Sequence, residues 1–155
     1  MKKTFYTFTL IGLLVTTTSL TVTAEEHHHY EENTTQLMLN QEEKWAIDES
    51  LHLGMSNIKH ELEKNLMAIH HENFSTEQYI TLATTMEQEL RFLFENCKLE
   101  PQADAQLHIL LSKIMQGIDI MKNAEHKKQG GILIIQALRD YPLYFNDLNW
   151  QSLVH

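Results

Sequence analysis

The chain has 155 residues, and its 21 acidic and 12 basic side chains give it a formal net charge of −9. An acidic surface of this kind repels nucleic acid and anionic lipid and attracts cations, so we expect no nucleic-acid-binding function. Cys97 is the only cysteine. No disulfide can therefore form within the chain, whatever the redox state of its compartment.

Residues 1–24 have the layout of a secretory signal peptide. Two lysines near its start are followed by the mostly apolar segment 5–15, and Val22 and Ala24 are small residues that a signal peptidase accepts. The apolar segment is shorter than the ~20 residues that a membrane-spanning helix needs. We therefore predict cleavage after Ala24, no membrane anchor after cleavage, and a periplasmic or secreted protein.

A histidine run, His27, His28 and His29, lies directly beyond this cleavage point. Cleavage after Ala24 would make His27 the third residue of the mature chain. A free amine, two deprotonated backbone amides and the imidazole of a third residue can supply four nitrogens in a plane, which favours Cu(II) or Ni(II). The alternative is a solvated, acidic lead-in that binds nothing. Residues 25–47 are predicted to form a flexible arm.

The first two helices are indicated by their start signals and by apolar stripes. Asp48 is a favourable N-cap for a helix that runs to about His71. Ser75 and Gln78 form a capping-box pattern at the start of the second helix, which should end near Cys97. Apolar residues recur at spacings of three and four in both segments. They are Leu51, Met55, Ile58, Leu62, Leu66 and Ile69, then Tyr79, Leu82, Met86, Leu90, Leu93 and Cys97.

The third and fourth helices are predicted from similar patterns. Pro101 suits the first turn of the third helix. Gly130 and Gly131 lower helix propensity, but apolar residues at helical spacing favour a fourth helix over the alternative, a strand over residues 131–137. Pro142 should kink or end that helix. The predicted inner faces consist of Leu107, His108, Leu111, Ile114, Met115 and Ile118, then Ile134, Ile135, Leu138, Tyr141 and Phe145.

Four helices joined by short links pack most simply as an antiparallel up-down-up-down bundle. We therefore predict an all-α fold, with a four-helix bundle over residues 48–150 preceded by the flexible arm. The sequence contains no nucleophile elbow, no Ser-x-x-Lys motif and no glycine-rich phosphate loop. We accordingly expect a protein that is not an enzyme.

Antiparallel order brings one end of every helix together, and six residues are expected to converge there: Met55, Cys97, Asp104, His108, Tyr141 and Phe145. Thioether, thiol and imidazole donors select Cu(I) or zinc, so Met55, Cys97 and His108 are candidate metal ligands. Asp104 lies one turn before His108 and can orient its ring. The alternative is ordinary core packing of Met55 and Cys97, and a histidine satisfied by Asp104 alone.

A methionine and a histidine can also ligate haem from opposite sides. The chain lacks a Cys-x-x-Cys-His sequence, which excludes covalent attachment. Met55 and His108 lie on the first and third helices, which are diagonal in a simple bundle. Non-covalent haem is therefore a weaker alternative to a metal ion.

Three blocks of residues stand out together: Lys44-Trp45-x-x-Asp48, Gly54-Met55-x-x-Ile58, and Asn96-Cys97-Lys98-Leu99-x-Pro101-x-Ala103-Asp104-Ala105-x-Leu107-His108. With these blocks the chain resembles, over about residues 39–150, an uncharacterised family of small secreted helical proteins of Gram-negative bacteria. The resemblance implies a periplasmic helical domain and brings no established activity. A glycine is usual in that family after the aromatic residue of the fourth helix, where this chain has Pro142.

These observations lead to two functional hypotheses. The first is a periplasmic, non-catalytic protein that binds a metal ion, with copper as the cofactor, and buffers it or passes it on. The second is a structural or interaction module that docks another periplasmic protein and binds no metal.

Overall fold

A computed structural model describes residues 36–153, and every structural statement below refers to that part of the chain. The predicted signal peptide, its cleavage point and His27, His28 and His29 lie outside the described residues. Within them, four helices account for most of the chain: α1 (Glu49–His70), α2 (Thr76–Asn96), α3 (Pro101–Asn123) and α4 (Lys128–Tyr144). The predicted all-α fold is confirmed. None of the described helices is long and apolar enough to cross a membrane.

The predicted start signals are confirmed at three helices. Asp48 is the N-cap of α1, where its carboxylate accepts a hydrogen bond of 2.7 Å from the amide of Leu51. Ser75 and Gln78 form a complete capping box at α2, with hydrogen bonds in both directions. Pro101 occupies the first turn of α3. The side-chain caps of α1 and α2 satisfy amide groups that a helix start leaves without an intrahelical partner, and Pro101 has no amide hydrogen to satisfy.

The bundle has the predicted order, because each helix packs against its neighbours in sequence and α1 closes the ring against α4. The backbones of the diagonal pairs, α1 with α3 and α2 with α4, lie farther apart. The apolar stripes meet in one core. Its largest fully buried side chains are Tyr141, Phe145, Leu51, Met55, Ile58, Leu62, Met86, Leu93, Leu107, Leu110, Leu111 and Ile114.

The segment that starts at Gly130 and Gly131 is helical, as predicted, and not a strand. A close approach between α3 and α4 explains the use of glycine here. A Cβ atom at Gly117 would lie 2.7 Å from the carbonyl oxygen of Gly130, and one at Gly130 would collide with the carbonyl oxygen of Gly117. Pro142 lies in the last turn of α4, which ends at Tyr144.

The predicted inner face of α3 is wrong at two positions, since His108 and Met115 are exposed. The buried face runs instead through Ala103, Gln106, Leu107, Leu110, Leu111, Ile114, Gly117, Ile118 and Met121. His108 and Met115 each follow a buried residue by one position, which turns a side chain about 100° around the helix. Both therefore leave the core and point towards the outer surface of the bundle.

Residues 37–47, which we assigned to the flexible arm, pack on the bundle instead. Leu37 and Trp45 are buried. The indole nitrogen of Trp45 donates to the carbonyl of Met38 (2.7 Å), and the backbone of Trp45 exchanges two hydrogen bonds of 2.8 Å with Tyr144 and Asn146. Burial of a tryptophan side chain supplies the free energy that orders this stretch. Of the predicted arm, the described stretch from residue 37 to residue 47 therefore contacts the bundle.

The two neighbouring glycines of α4 provide a test of the close helix approach. We expect Gly130→Ala to destabilise the protein by about 1–3 kcal/mol, because its methyl group meets backbone atoms of α3 that cannot move aside. Gly131→Ala is the matched control, since its Cβ would lie 3.9 Å from the nearest atom, on Ile69. It should stabilise the helix by up to about 1 kcal/mol. Equal unfolding free energies for the two variants in urea would contradict this account.

Candidate functional site

One end of each of the four helices lies at the same end of the bundle, as antiparallel order predicts. The Asp48 carboxylate that caps α1 also accepts a hydrogen bond of 2.6 Å from the amide of Lys98, just beyond α2. The amide of Met38 donates to the side-chain oxygen of Gln106 on α3 (2.7 Å). We call this region the bundle end.

A buried carboxylate, that of Asp147, forms the centre of the bundle end. Its side chain is only 1% exposed, and its Oδ2 accepts a hydrogen bond of 3.1 Å from the hydroxyl of Tyr141. The same oxygen lies 2.8 Å from Nδ1 of His52, and Oδ1 accepts from the amide of Asn149 (3.1 Å). A buried charge needs such partners to offset the loss of its hydration.

Aromatic rings enclose this carboxylate. Tyr141 stacks on Phe145 with 5.4 Å between ring centroids and meets Trp150 edge-on at 4.6 Å. Burial raises the pKa of the Tyr141 hydroxyl, and the nearby charge of Asp147 raises it further. Tyr141 therefore stays protonated and keeps donating to Asp147. The ammonium of Lys59 lies 5.5 Å from the Trp150 ring centroid.

At the bundle end, His52 is the side chain best suited to bind a ligand or to act as a base. An ionised carboxylate can only accept, so in this pair Nδ1 of His52 donates to Asp147. Such carboxylate–histidine pairs orient metal ligands and catalytic bases in other proteins. However, the described residues contain no group of three or more His, Cys, Asp or Glu side chains placed to hold a metal ion. The His52–Asp147 pair links α1 to the segment after α4, and we call this link the clasp.

Sequence reasoning did not identify the pairing of His52 with Asp147. Its side chain is only 32% exposed and is held by Asp147. The one available signal is that His52 directly follows Leu51 and so borders the apolar stripe of α1. Its partner lies 95 positions later, beyond the last helix. No local spacing rule connects two residues so far apart in the chain.

The predicted metal donors are not brought together. Met55 is completely buried in the core, whereas the His108 side chain is 55% exposed on the outer face of the diagonal helix. Asp104 does orient His108, whose Nδ1 lies 2.9 Å from the Asp104 carbonyl oxygen and 3.4 Å from its Oδ2. That predicted pair is present, but on the surface. Non-covalent haem ligation by Met55 and His108 stays a prediction, and the different burial of the two side chains does not support it.

Cys97, the third predicted donor, is half-buried at the C-cap of α2. Burial raises the pKa of its thiol to about 12, with further contributions from the charges of Asp48 and Asp104. The free thiol is therefore protonated at neutral pH, whereas nucleophilic attack needs the thiolate. Cys97 fits best as a packing residue beside the core.

A different feature stands out on the side of the bundle, where a groove of about 670 Å³ runs between α2 and α3. We call it the α2–α3 groove; its lining includes Leu90, Arg91, Phe94, Met115, Ile118 and Lys122. Phe94 is 49% exposed and Met115 is 48% exposed, and the ring of His108 lies 5.7 Å from that of Phe94. Sequence reasoning placed Met115 in the core and did not single out Phe94. The groove thus contains Met115, whose exposure the helical pattern did not predict, and Phe94, which lies outside the predicted stripe of α2.

No protein-family model, curated protein or solved structure matches this chain. The resemblance to a family of small secreted helical proteins therefore stays a prediction. Conclusions about function must come from the geometry of the chain itself.

The raised pKa of Cys97 can be tested by alkylation. The thiolate is the nucleophile, so at about pH 8 the folded protein should react with iodoacetamide roughly a thousandfold more slowly than the urea-unfolded chain. Mass spectrometry of timed samples measures both rates. Comparable rates in the two states would contradict a buried, protonated thiol.

Proposed function

We propose that this protein is a non-catalytic interaction module, exported from the cytoplasm, that docks a protein surface in its α2–α3 groove. The observation that carries the proposal is the half-exposure of Phe94 and Met115 in one groove. Contiguous apolar surface on a soluble protein commonly marks a binding site. Aromatic residues and methionine are also enriched where proteins contact one another.

The composition of the groove supports protein docking over small-molecule chemistry. Leu90 and Ile118 form a buried floor, while Phe94 and Met115 rise from it. An apolar centre with charged residues around it is the usual anatomy of a protein interface. By contrast, the groove between α1 and α2 is lined mainly by polar side chains. They are Glu61, Asn65, Glu77, Gln78, Thr81 and Thr85.

Site-specific photo-cross-linking in cells that naturally produce the protein tests this function. A photoreactive amino acid at position 115 should form a discrete cross-linked product, because this side chain would contact the docked surface. Position 67 is the matched control: Met67 is also a helical methionine, is 64% exposed, and lies on α1 outside the groove. Absence of a product at position 115, or equal products at both positions, would contradict the proposal.

A second candidate function is copper capture near the mature N-terminus. One observation favours it: the sequence Ala24-Glu25-Glu26-His27 would place a histidine third in the mature chain. Nitrogen donors in a plane favour Cu(II). Since Met55, Cys97 and His108 share no site, this candidate rests on His27, His28 and His29 and not on the bundle. The formal net charge of −9 also favours cations.

Copper titration of the secreted protein separates these two sources of donors. We expect Cu(II) binding tighter than micromolar that is lost on deletion of residues 25–30 and retained in His108→Ala. The expected loss follows from removal of the N-terminal nitrogen set, whereas His108 is a single surface imidazole oriented by Asp104. Isothermal calorimetry and the visible absorption of the complex measure the two variants. Retention of tight binding after the deletion would contradict this assignment.

A further inference from the structure

We propose that the occupant of the α2–α3 groove is a second copy of this chain, bound as a two-fold symmetric dimer. This inference rests on the proposed docking function and names its partner. In a two-fold dimer the same surface meets itself, so its charges and its shape must be self-complementary. The groove satisfies this requirement in its charged rim and in its size.

The charges at the rim that are left over within the chain are of both signs. Lys122 is neutralised by Glu87 at 2.7 Å. Among the described residues, neither Arg91 nor Glu95 has an ion-pair partner, and the carboxylate of Asp119 accepts a hydrogen bond only from the side-chain amide of Asn123. The rim therefore presents one guanidinium and two carboxylates that have no ionic partner within residues 36–153.

Two-fold symmetry can satisfy these charges in duplicate. Arg91 of one copy would face Glu95 or Asp119 of the other, and the symmetric pair would form on the opposite side of the axis. Arginine binds carboxylates through a planar fork of donors, which gives such pairs a defined geometry. Phe94 lies one turn from Arg91 on α2. When Arg91 pairs with a carboxylate of the other copy, the Phe94 ring would therefore lie against the apolar part of that copy's groove. A wholly basic or wholly acidic partner would leave one of these charges opposed by its own sign.

The size of the face fits a reversible dimer. α2 and α3 have 21 and 23 residues, and at ~1.5 Å per residue they are roughly 30 Å long. Two adjacent helices are ~20 Å wide, so the face offers on the order of 600 Å² per copy. Stable interfaces bury upwards of ~1,200 Å² in total, which places this one at the lower limit. The net charge of −9 on each copy adds long-range repulsion. Both effects indicate a dimer with micromolar affinity.

Sedimentation velocity of the purified secreted protein, at physiological ionic strength and over increasing concentration, tests this proposal. We expect a monomer–dimer equilibrium that Phe94→Asp weakens at least about tenfold, because a charge replaces the central aromatic anchor. Met67→Asp is the matched control and should leave the equilibrium unchanged. Both positions are exposed and helical, so circular dichroism should show both variants folded.

Charge reversal adds a second, independent measurement. Arg91→Glu should also weaken the dimer, and a further reversal at Glu95 or at Asp119 to lysine should restore it.

A monomer at every concentration, or equal effects of Phe94→Asp and Met67→Asp, would overturn the proposal. If the protein is monomeric but position 115 cross-links to a different protein in cells, the second copy is wrong while the docking function stands. Cross-linking at position 115 to a copy of the same chain supports both.

Discussion

The structure of the bundle end depends on the hydrogen bonds of one buried carboxylate, that of Asp147. It accepts from Tyr141 on α4, pairs with His52 on α1 and caps the turn that carries Trp150. These contacts fix the segment after α4 against the first helix, where the backbone of Trp45 also joins it. A charge that is 1% exposed would be costly without these partners, so the three contacts depend on one another.

The polar and aromatic side chains around Asp147 fit a structural role, because they are occupied with one another. The Tyr141 hydroxyl, Nδ1 of His52 and the Asp147 oxygens are engaged with each other, and the Cys97 thiol is held protonated by its raised pKa. The surface groove differs, because Phe94 and Met115 expose apolar area that no described part of the chain covers. The two proposed functions accordingly use other parts of the chain: the α2–α3 groove and, in the sequence, the histidine run beyond Ala24.

Local rules predicted the helices well and the site poorly. Asp48, the Ser75–Gln78 capping box and Pro101 each act within a few residues, so the sequence is sufficient to identify them. The face of α3 was misjudged at His108 and Met115, because a stripe with many apolar residues does not define its own edge. The pairing of His52 with Asp147 joins residues 95 positions apart, and only the assembled bundle brings them together. The burial of Trp45 is likewise a tertiary contact, although an isolated tryptophan in a polar stretch was an available signal.

Asp147 holds the segment after α4 in place, and its interaction free energy with Tyr141 measures how much of the stability depends on this contact. Unfolding free energies of Asp147→Ala, Tyr141→Phe and the double variant give that quantity. We predict that Asp147→Ala costs roughly 2–4 kcal/mol in the natural background, because it leaves buried donors without an acceptor. In the Tyr141→Phe background its cost should be lower by about 1 kcal/mol or more, since one of those donors is gone. A small loss of unfolding free energy on Asp147→Ala that is the same in both backgrounds would contradict this role of Asp147.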